Sequence, residues 1–322
     1  MMYTGVAVRF ATAGFNVLLR ARYRRITRRY YRRWGRLPNY ANPYFHSEKV
    51  QWRKLFDRNP LFPVFLDKID VRDFVADTAP ELSAPRILWT GTDPDSIPYE
   101  SLPARYVIKP NCRSGDRHFV MGPADVNKEE IAAKCRQWLS RPFGRKVGEW
   151  GYLPVRRRLL IEEFLATHAE EDGVTDFRFH VFDGRVHMIS SDSSRLEHAT
   201  RIPLGNNTFY DRTWNQLPFI KVNRQSEIAK PLSKPTQMDS MIASAEKLGA
   251  GIDHVRVDLY LAGDRPHFGE ITVYPLSGME RFEVVPGAGL RHVEPWEIYM
   301  SRPWKLPDIP LPRRLYRGVR GL

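Results

Sequence analysis

Two segments of the chain alternate apolar and polar residues on both sides of a tight-turn signal, and they constrain the fold more than any other feature. The first covers residues 176–189 and turns at the Asp-Gly pair 183–184. The second covers residues 254–273 and turns at Ala-Gly-Asp 262–264. Alternation with a period of two around such turns predicts two β-hairpins.

The remaining chain combines helical patterns with short apolar runs. Apolar residues recur at helical spacing in residues 49–77, 125–140 and 237–248, whereas YVIKP at 106–110 and RRLLIEEFL at 157–165 predict buried strands. This order of strands and helices predicts an α+β fold with mostly antiparallel pairing. It argues against a doubly wound parallel sheet.

Basic residues collect at the two ends of the chain. Residues 1–36 carry ten arginines and no lysine, aspartate or glutamate, and residues 302–322 carry a net charge of +5, which leaves −2 for the body out of a total of +13. A nucleic-acid enzyme more often has a basic stripe across its body. We therefore expect no nucleic-acid partner, and we expect the basic ends to meet an anionic surface such as a membrane leaflet or an acidic polymer.

The N-terminal arm, residues 1–36, has three interpretations. The first is an amphipathic helix at the inner face of a membrane, with Phe10, Phe15, Leu18 and Leu19 buried in lipid. The second is a mobile basic tail without a partner, and the third is an Arg-rich targeting segment.

The compartment is predicted from the cysteines and from the apolar runs. Cys112 and Cys135 have no CxxC partner, which argues against a zinc site and a disulfide framework and suits a reducing compartment. No apolar run reaches 18 residues, so we expect no membrane-spanning helix. We therefore expect a cytoplasmic protein, peripheral at the inner face of the membrane if the arm lies on it.

The second hairpin places two carboxylates opposite each other. A register centred on residue 264 pairs six residues: Arg256 with Thr272, Asp258 with Glu270, and Tyr260 with Phe268. Opposed carboxylates repel, and a cation between Asp258 and Glu270 would remove that cost. Mg²⁺ prefers such oxygen ligands together with substrate phosphates. The alternative is a solvated face on which Arg256 neutralises Asp258.

The segment VIKPNCRSGDRHFV, residues 107–120, is a second functional signal. Lys109 ends an apolar strand, and Ser114 and Gly115 follow in a loop whose backbone N–H groups suit phosphate oxygens. The chain lacks both GxxxxGK[ST] and GxGxxG, which argues against a P-loop, a dinucleotide-binding fold and a kinase glycine loop. The alternative for this segment is an ordinary surface hairpin.

The functional motifs follow one another in a recognisable order, which is YVIKPN…SG, LIEEFL, DFRFHVFDG and VRVDLY…FGEIT…SG. In this order the chain resembles the ATP-grasp enzymes, and more narrowly their TupA-like branch, which is associated with teichuronopeptide and other surface-polysaccharide biosynthesis. The resemblance includes LFDRNPLFPVFLDKIDVRDFV upstream and covers about residues 45–300. It implies an ATP-grasp fold, in which two α+β lobes clamp ATP.

The resemblance also implies a domain organisation, in which a small N-terminal subdomain and a basic N-terminal helix precede the two lobes. We expect a basic arm (1–38), an N-terminal subdomain (39–105), a small lobe (106–165), a large lobe with the magnesium site (166–301) and a basic C-terminal tail (302–322).

The resemblance implies a role for each residue that matches a family motif. The residues expected to bind ATP are Lys109, Ser114 and Gly115 at the phosphates, and Glu162, Glu163, Phe164 and Leu165 at adenine and ribose. Those expected to hold Mg²⁺ are Asp258, Glu270 and Thr272, although many relatives have Asn at the position of Thr272. Arg178 is expected to contact phosphate, and Arg256 to stabilise a developing phosphate or tetrahedral oxyanion.

The activity that the resemblance implies is carboxylate–amine ligation through an acylphosphate, with a glycan or another carboxylate-containing acceptor. Ser277 and Arg281, which follow the metal strand in PLSGMERF, are candidate acceptor contacts, and their alternative is a capped loop. Two other functions stay open. One is a glycan or sugar kinase that uses the same ATP site, and the other is a non-catalytic membrane- or polymer-binding protein with a degenerate site.

Overall fold

The computed structural model describes residues 2–165, 175–192, 207–221, 230–285 and 295–307. Within these ranges it contains helices and antiparallel sheets, and the predicted α+β class is confirmed. None of the described helices is long and apolar enough to cross a membrane. Most of the predicted C-terminal tail lies outside the described residues.

The first quarter of the chain is helical. Its helices are α1 (Met2–Arg22), α2 (Arg24–Trp34), α3 (His46–Phe56), α4 (Leu61–Phe65) and α5 (Val71–Thr78). The helical segment predicted at 49–77 is therefore interrupted. One cause is Pro60, since a proline disfavours helical backbone at the residue before it, here Asn59.

A four-stranded antiparallel sheet forms the smaller layer. Its strands are β1 (Ile87–Gly91), β2 (Tyr106–Pro110), β3 (His118–Val120) and β4 (Leu159–Glu163), in the order β1-β4-β2-β3. The helix α6 (Lys128–Ser140) covers one face, where its Ile131 packs with Ile108 and Ile161. Strand β1 comes from the segment that we assigned to the N-terminal subdomain, so this sheet begins before residue 106.

A larger antiparallel sheet carries both predicted hairpins. The other strands and helices among the described residues are β5 (Thr175–Phe182), β6 (Arg185–Asp192), β7 (Asn207–Tyr210), β8 (Gln216–Leu217), β9 (Phe219–Lys221), α7 (Met238–Leu248), β10 (Val255–Ala262), β11 (Arg265–Thr272), β12 (Phe282–Val284) and α8 (Trp296–Tyr299). Six of these strands form the sheet in the order β11-β10-β5-β6-β7-β8, and β12 pairs with β9 separately.

One face of the large sheet is the main core of the protein. Val255, Val257 and Leu259 point to this face, as the alternation predicts, and pack against α4, α5 and α7. The opposite face carries the polar residues Arg256 and Asp258. Burial of one face therefore fixes which side chains of β10 point towards the predicted magnesium site.

The register of β10 and β11 agrees with the prediction at two of three pairs. Asp258 lies opposite Glu270, and Arg256 lies opposite Thr272. The predicted pairing of Tyr260 with Phe268 is wrong, because a β-bulge shifts the register after Asp258.

The bulge has a steric cause at Gly269. A Cβ atom at this position would lie 2.8 Å from the Asp258 carbonyl oxygen and 3.0 Å from the Tyr260 ring. The extra residue turns Phe268 into the core opposite Leu259, so Phe268 does not share the face of Glu270. The apolar residues Phe268 and Ile271 stand three positions apart, and this break in alternation was the available signal for a bulge.

The N-terminal arm packs on the body of the protein. Phe15 and Leu19 are 7% and 2% exposed and lie in a cluster with Tyr40 and Trp52. The interpretations that buried these two side chains in lipid, or made the arm a mobile tail, are therefore wrong. Leu18 is 58% exposed, and the side chain of Phe10 lies outside the described residues.

Helix α2 is anchored next to the loop that follows β11. Tyr30 is buried, and its hydroxyl lies 2.8 Å from the Ser47 hydroxyl. Arg33 donates to the Met279 carbonyl at 2.7 Å, and Trp34 donates to the Gly278 carbonyl at 3.1 Å. These contacts fix α2 beside Ser277.

Candidate active site

The small sheet contributes Lys109 and Glu162 from its uncovered face. In β2 and β4, Ile108 and Ile161 point to α6, so their neighbours Lys109 and Glu162 point the other way. The register pairs Lys109 with Leu160 and Glu162 with Val107, which makes Lys109 and Glu162 diagonal neighbours. Long side chains reach across such diagonals.

Glu162 is held by two cations. Its carboxylate accepts from Lys109 Nζ at 2.5 Å and from Arg72 Nη2 at 2.5 Å. Burial alone would raise the pKa of Glu162, but Lys109 and Arg72 outweigh it, and the pKa lies below its usual value. Glu162 is therefore ionised at neutral pH and orients Lys109.

The large sheet contributes a row of charged residues. The register places Glu270, Asp258 and Arg178 side by side on β11, β10 and β5. Arg178 donates to Asp176 on its own strand at 2.6 and 3.0 Å. Three acidic groups and a cation thus meet on the polar face of this sheet.

Arg256 lies among the predicted metal ligands. It donates to both Asp258 oxygens at 2.7 and 2.6 Å, and its Nη2 lies 3.1 Å from Thr272 Oγ1 and 3.4 Å from Glu270 Oε1. The neutralisation of Asp258 that sequence offered as an alternative to a metal is therefore present.

Arg256 does not cancel the local negative charge. Burial raises the pKa of Asp258 despite Arg256, and the nearby carboxylates of Asp176 and Glu270 raise it further. Glu270 behaves oppositely. Burial works against its ionised form, but Lys68 and Arg256 lower its pKa to about 2.

The donor set fits Mg²⁺. Among the residues that the structure describes, no group of three or more His, Cys, Asp or Glu is arranged to hold a metal ion. The side chains that could hold a metal at this site are the carboxylates of Asp258 and Glu270 and the hydroxyl of Thr272. These are hard oxygen donors of the kind that bind Mg²⁺ together with nucleotide phosphates. Asp176 and Glu270 add to the effect of burial on the pKa of Asp258, and a bound cation would relieve that part of the effect.

A cavity of about 330 Å³ lies between the two sheets. Eleven of the predicted site residues line it: Lys109, Ser114, Gly115, Glu162, Glu163, Phe164, Leu165, Arg178, Arg256, Asp258 and Glu270. Residues far apart in sequence thus meet around one space of the size of a ligand site.

A second cavity of about 500 Å³ adjoins the first, and we call it the acceptor cavity after Ser277, the candidate acceptor contact that lines it. Thr272 and Ser277 line it, and it shares Arg256 and Glu270 with the first cavity. Arg281 lines neither of these cavities and lies 3.8 Å from Glu283 at the surface. The structure therefore separates the two candidate acceptor contacts.

Ser277 has a strained backbone that a buried lysine supports. Leu276 and Ser277 have φ angles of 40° and 61°, in the left-handed region that favours glycine. Lys54 donates to the carbonyl and the hydroxyl of Ser277, both at 2.7 Å. Burial lowers the pKa of Lys54 to about 7, although the nearby Glu149 raises it.

Sequence reasoning missed the cations that residues 46–78 supply from helices α3 and α5 and from the turn between α4 and α5. Lys68 lies 3.7 Å from Glu270, Arg72 binds Glu162, and Lys54 holds Ser277. Each is a charged residue in a helical pattern, where solvent exposure is the usual outcome. No local signal distinguishes them, because their partners lie about 90 to 223 residues away.

Cys112 follows the lysine strand without a reactive environment. The residue is buried, and burial raises the pKa of its thiol. A buried thiol with a raised pKa is a packed side chain and not a reactive one.

Two sheets with their helices enclose a cleft that is lined by a lysine, opposed carboxylates and arginines, as the resemblance to ATP-grasp enzymes predicts. The sequence model of the TupA-like ATP-grasp family matches residues 48–284. The chain belongs to this family. Its basic arm and helices α1 and α2 lie outside the matched residues.

Comparison with individual known proteins gave matches among solved structures. Similar structures are an ATP-grasp ligase PsnB with a phosphomimetic precursor variant, Mg and ADP (14% identity over 66% of this chain and 51% of that one, TM-score 0.36), and a Bacillus anthracis D-alanine–D-alanine ligase with ATP (14%, 65%, 53%, 0.37). D-cycloserine synthetase DcsG is a third (15%, 80%, 72%, 0.37). The chain spans about half the length of the first two. No curated protein matched.

Proposed function

We propose that the protein is an ATP-dependent carboxylate–amine ligase. The observation that carries the proposal is the junction of the two cavities at Arg256 and Glu270. The acceptor cavity is lined by more cations than carboxylates: Arg29, Lys68, Arg113, Arg141, Lys146 and Arg256 against Glu149 and Glu270. This charge balance suits a substrate carboxylate that must approach the phosphates of ATP.

The reaction proceeds in two displacements. A carboxylate oxygen of the substrate attacks the γ-phosphorus of ATP, the bond to the β,γ-bridging oxygen breaks, and ADP leaves. An amine then attacks the acyl carbon of the acylphosphate. The C–O bond breaks, phosphate leaves, and the nitrogen gives up a proton to form a neutral amide.

The residues of this chain would position the reactants and balance their charge. Glu162 holds Lys109 at the cavity between the two sheets, which we call the nucleotide cleft. There Lys109 would meet phosphate oxygens. Arg256 stands where the cavities join, and it would meet the carboxylate and the transferred phosphoryl group. Asp258 and Glu270 would hold Mg²⁺, which neutralises phosphate charge when it is bound.

Product analysis tests the proposal. Purified protein is incubated with ATP, Mg²⁺, amino acids and uronic-acid glycans, and products are identified by mass spectrometry. A ligase releases free phosphate in step with ADP and forms an amide. Phosphate retained on the acceptor would identify a kinase instead, and absence of any MgATP-dependent thermal shift would refute both enzymes.

We further propose that this reaction belongs to surface-polysaccharide or glycopeptide biosynthesis at the cytoplasmic face of the membrane. Family membership supports the first part, and the exposed Val17 and Leu18 of α1 support a weak membrane contact. Sedimentation with phosphatidylglycerol vesicles checks the contact. Replacing both residues with serine should release the protein, and equal binding by the variant would contradict the proposal.

A further inference from the structure

Helix α2 presents a groove beside the acceptor cavity. The groove measures about 780 Å³, and the described residues that line it are Arg24, Arg25, Arg28, Arg29, Arg32 and Arg33. Arg29 also lines the acceptor cavity, so the two spaces adjoin there. A ligand in the cavity can therefore extend along α2.

The positive charge of the groove is largely uncompensated. Arg24, Arg25, Arg28, Arg29 and Arg32 are exposed. In the part of the chain that the structure describes, no carboxylate lies within salt-bridge distance of any of them. Like charges four residues apart destabilise a helix, and several such pairs follow one another here. A ligand with several negative groups would remove this repulsion.

The groove has a fixed position. Thr27 and Tyr30 bury the opposite side of α2, and Arg33 and Trp34 bond to carbonyls of the loop that carries Ser277. Arginines one helical turn apart are separated by about 5 to 6 Å along the axis. The groove is therefore a regular row of cations that leads to the acceptor cavity.

We propose that this groove binds an anionic chain attached to the acceptor, whose carboxylates or phosphates recur at a similar spacing. The proposal rests on the proposed function, because it assumes that the acceptor reaches the cavity. It concerns residues outside the family match at 48–284.

A membrane is the less suitable occupant of this groove. A helix that lies on lipid needs an apolar face next to its basic residues. The apolar side chains Ile26 and Tyr30 of α2 face the body of the protein, and Tyr31 is the exposed large apolar residue of this helix. Lipid binding would not require that the groove connect to the acceptor cavity through Arg29.

The test compares two triple variants of the full chain. The first replaces Arg25, Arg28 and Arg32 with glutamine. The matched control makes the same change to glutamine at Arg185, Lys230 and Arg265. These residues are exposed and line neither the two cavities nor the groove. Binding of oligoglutamate and of inorganic polyphosphate of increasing length is measured by calorimetry at fixed ionic strength, with glutamate and inorganic phosphate as single-anion probes.

We expect longer chains to bind wild type more tightly than single anions do. The groove variant should bind them roughly tenfold more weakly, since three exposed ion pairs are lost, and the control should bind like wild type. The preferred polymer identifies the anion as carboxylate or phosphate. Equal weakening in both variants, or no weakening in the groove variant, would overturn the proposal.

Two further measurements distinguish binding of an anionic chain from membrane binding and from failure of the proposed function. If the groove variant loses binding to phosphatidylglycerol vesicles but keeps oligomer binding, α2 is a membrane contact and the proposal is wrong. A MgATP-dependent thermal shift of wild type reports on the proposed function independently, because the three replaced arginines lie outside the nucleotide cleft.

Discussion

At the scale of residues, Arg256 shows that the two interpretations of the paired carboxylates, a metal site and an arginine contact, are compatible. The sequence offered either a cation between Asp258 and Glu270 or an arginine that neutralises Asp258. The structure contains the arginine contact, and yet burial, with a further contribution from Asp176 and Glu270, still raises the pKa of Asp258. The three carboxylates on this face, Asp176, Asp258 and Glu270, outnumber Arg178 and Arg256, so the arginine contact is compatible with a second cation.

Replacement of Asp258 with asparagine should separate activity from stability. We expect ATP turnover to fall at least about a hundredfold, because a charged ligand near the phosphates is lost. The fold should survive with a lowered melting temperature, since buried Arg256 loses one of the two carboxylate oxygens to which it donates. ADP release and thermal unfolding measure the two effects. Lower stability with retained turnover would show that Asp258 is a structural ion-pair partner only.

The sequence predicted the strand residues of the site better than the helical ones. Lys109, Glu162 and Asp258 could be located because strand alternation assigns each of them to a face. Lys54 of α3 and Lys68 of the turn before α5 could not, because helix and turn surfaces offer many charged positions and only the tertiary fold selects one. The acceptor cavity takes cations from both kinds of segment, such as Arg29 of α2 and Lys68 of the turn.

At the scale of elements, the bulge in β11 sets the direction of Glu270. A Gly269→Ala change would force its Cβ against the Asp258 carbonyl oxygen, at 2.8 Å. We expect a loss of about 1 to 3 kcal/mol in unfolding free energy, with reduced MgATP binding because both carboxylates move. Chemical denaturation and the ATP-dependent thermal shift check this.

Gly122 provides the control for this change. Its φ angle is 179°, and no atom lies within 4 Å of a Cβ built on it. Gly122→Ala should therefore leave both measurements unchanged. Equal effects of the two substitutions would mean that the bulge does not depend on glycine.

The N-terminal helices are structural elements, and neighbouring leucines test this. Leu19 is 2% exposed and Leu18 is 58% exposed. Leu19→Ala should cost about 2 to 5 kcal/mol of unfolding free energy, since it leaves a cavity against Trp52, and Leu18→Ala should cost little. Urea denaturation measures both. If both substitutions had a similar small effect, the interpretation of the arm as a mobile tail would be supported.

The elements themselves were largely predictable and their packing was not. Both hairpins, helix α7 and strands β2 and β4 follow from local patterns of alternation and turn residues. The membership of β1 in the small sheet depends on its pairing with β4, about 70 residues later in the chain. The packing of α1 depends on Tyr40 and Trp52, which no local pattern connects to it.

At the scale of the whole molecule, a cluster of buried histidines joins separate parts of the chain. His46 of α3, His180 of β5 and His254 before β10 lie together with Trp296 and Trp304. His46 Nε2 has no hydrogen-bond partner among the described residues. Burial, with Arg53 and Lys49 nearby, lowers the pKa of His46 to about 3.

This pKa makes one contribution to stability depend on acidity. Below pH 6.5 the His46 side chain is protonated in the unfolded chain but stays neutral in the folded protein. The free energy of unfolding therefore decreases as the pH falls. Relative to wild type, His46→Gln should therefore gain about 2 kcal/mol between pH 7.5 and pH 5. Urea denaturation of both proteins at the two pH values completes the comparison. A constant difference would mean that His46 titrates normally in the folded protein.

The contacts between the two ends of the described chain have a consequence for how the protein is made. Arg36 bonds to Glu297 at 2.8 Å, and Lys49 donates to the carbonyls of Ser301 and Trp304 at 2.8 and 2.6 Å. A ribosome adds about 5 to 20 residues per second, so the arginine-rich segment emerges tens of seconds before these partners exist. During that interval its charges face the crowded cell interior, including the ribosomal RNA from which it has just emerged.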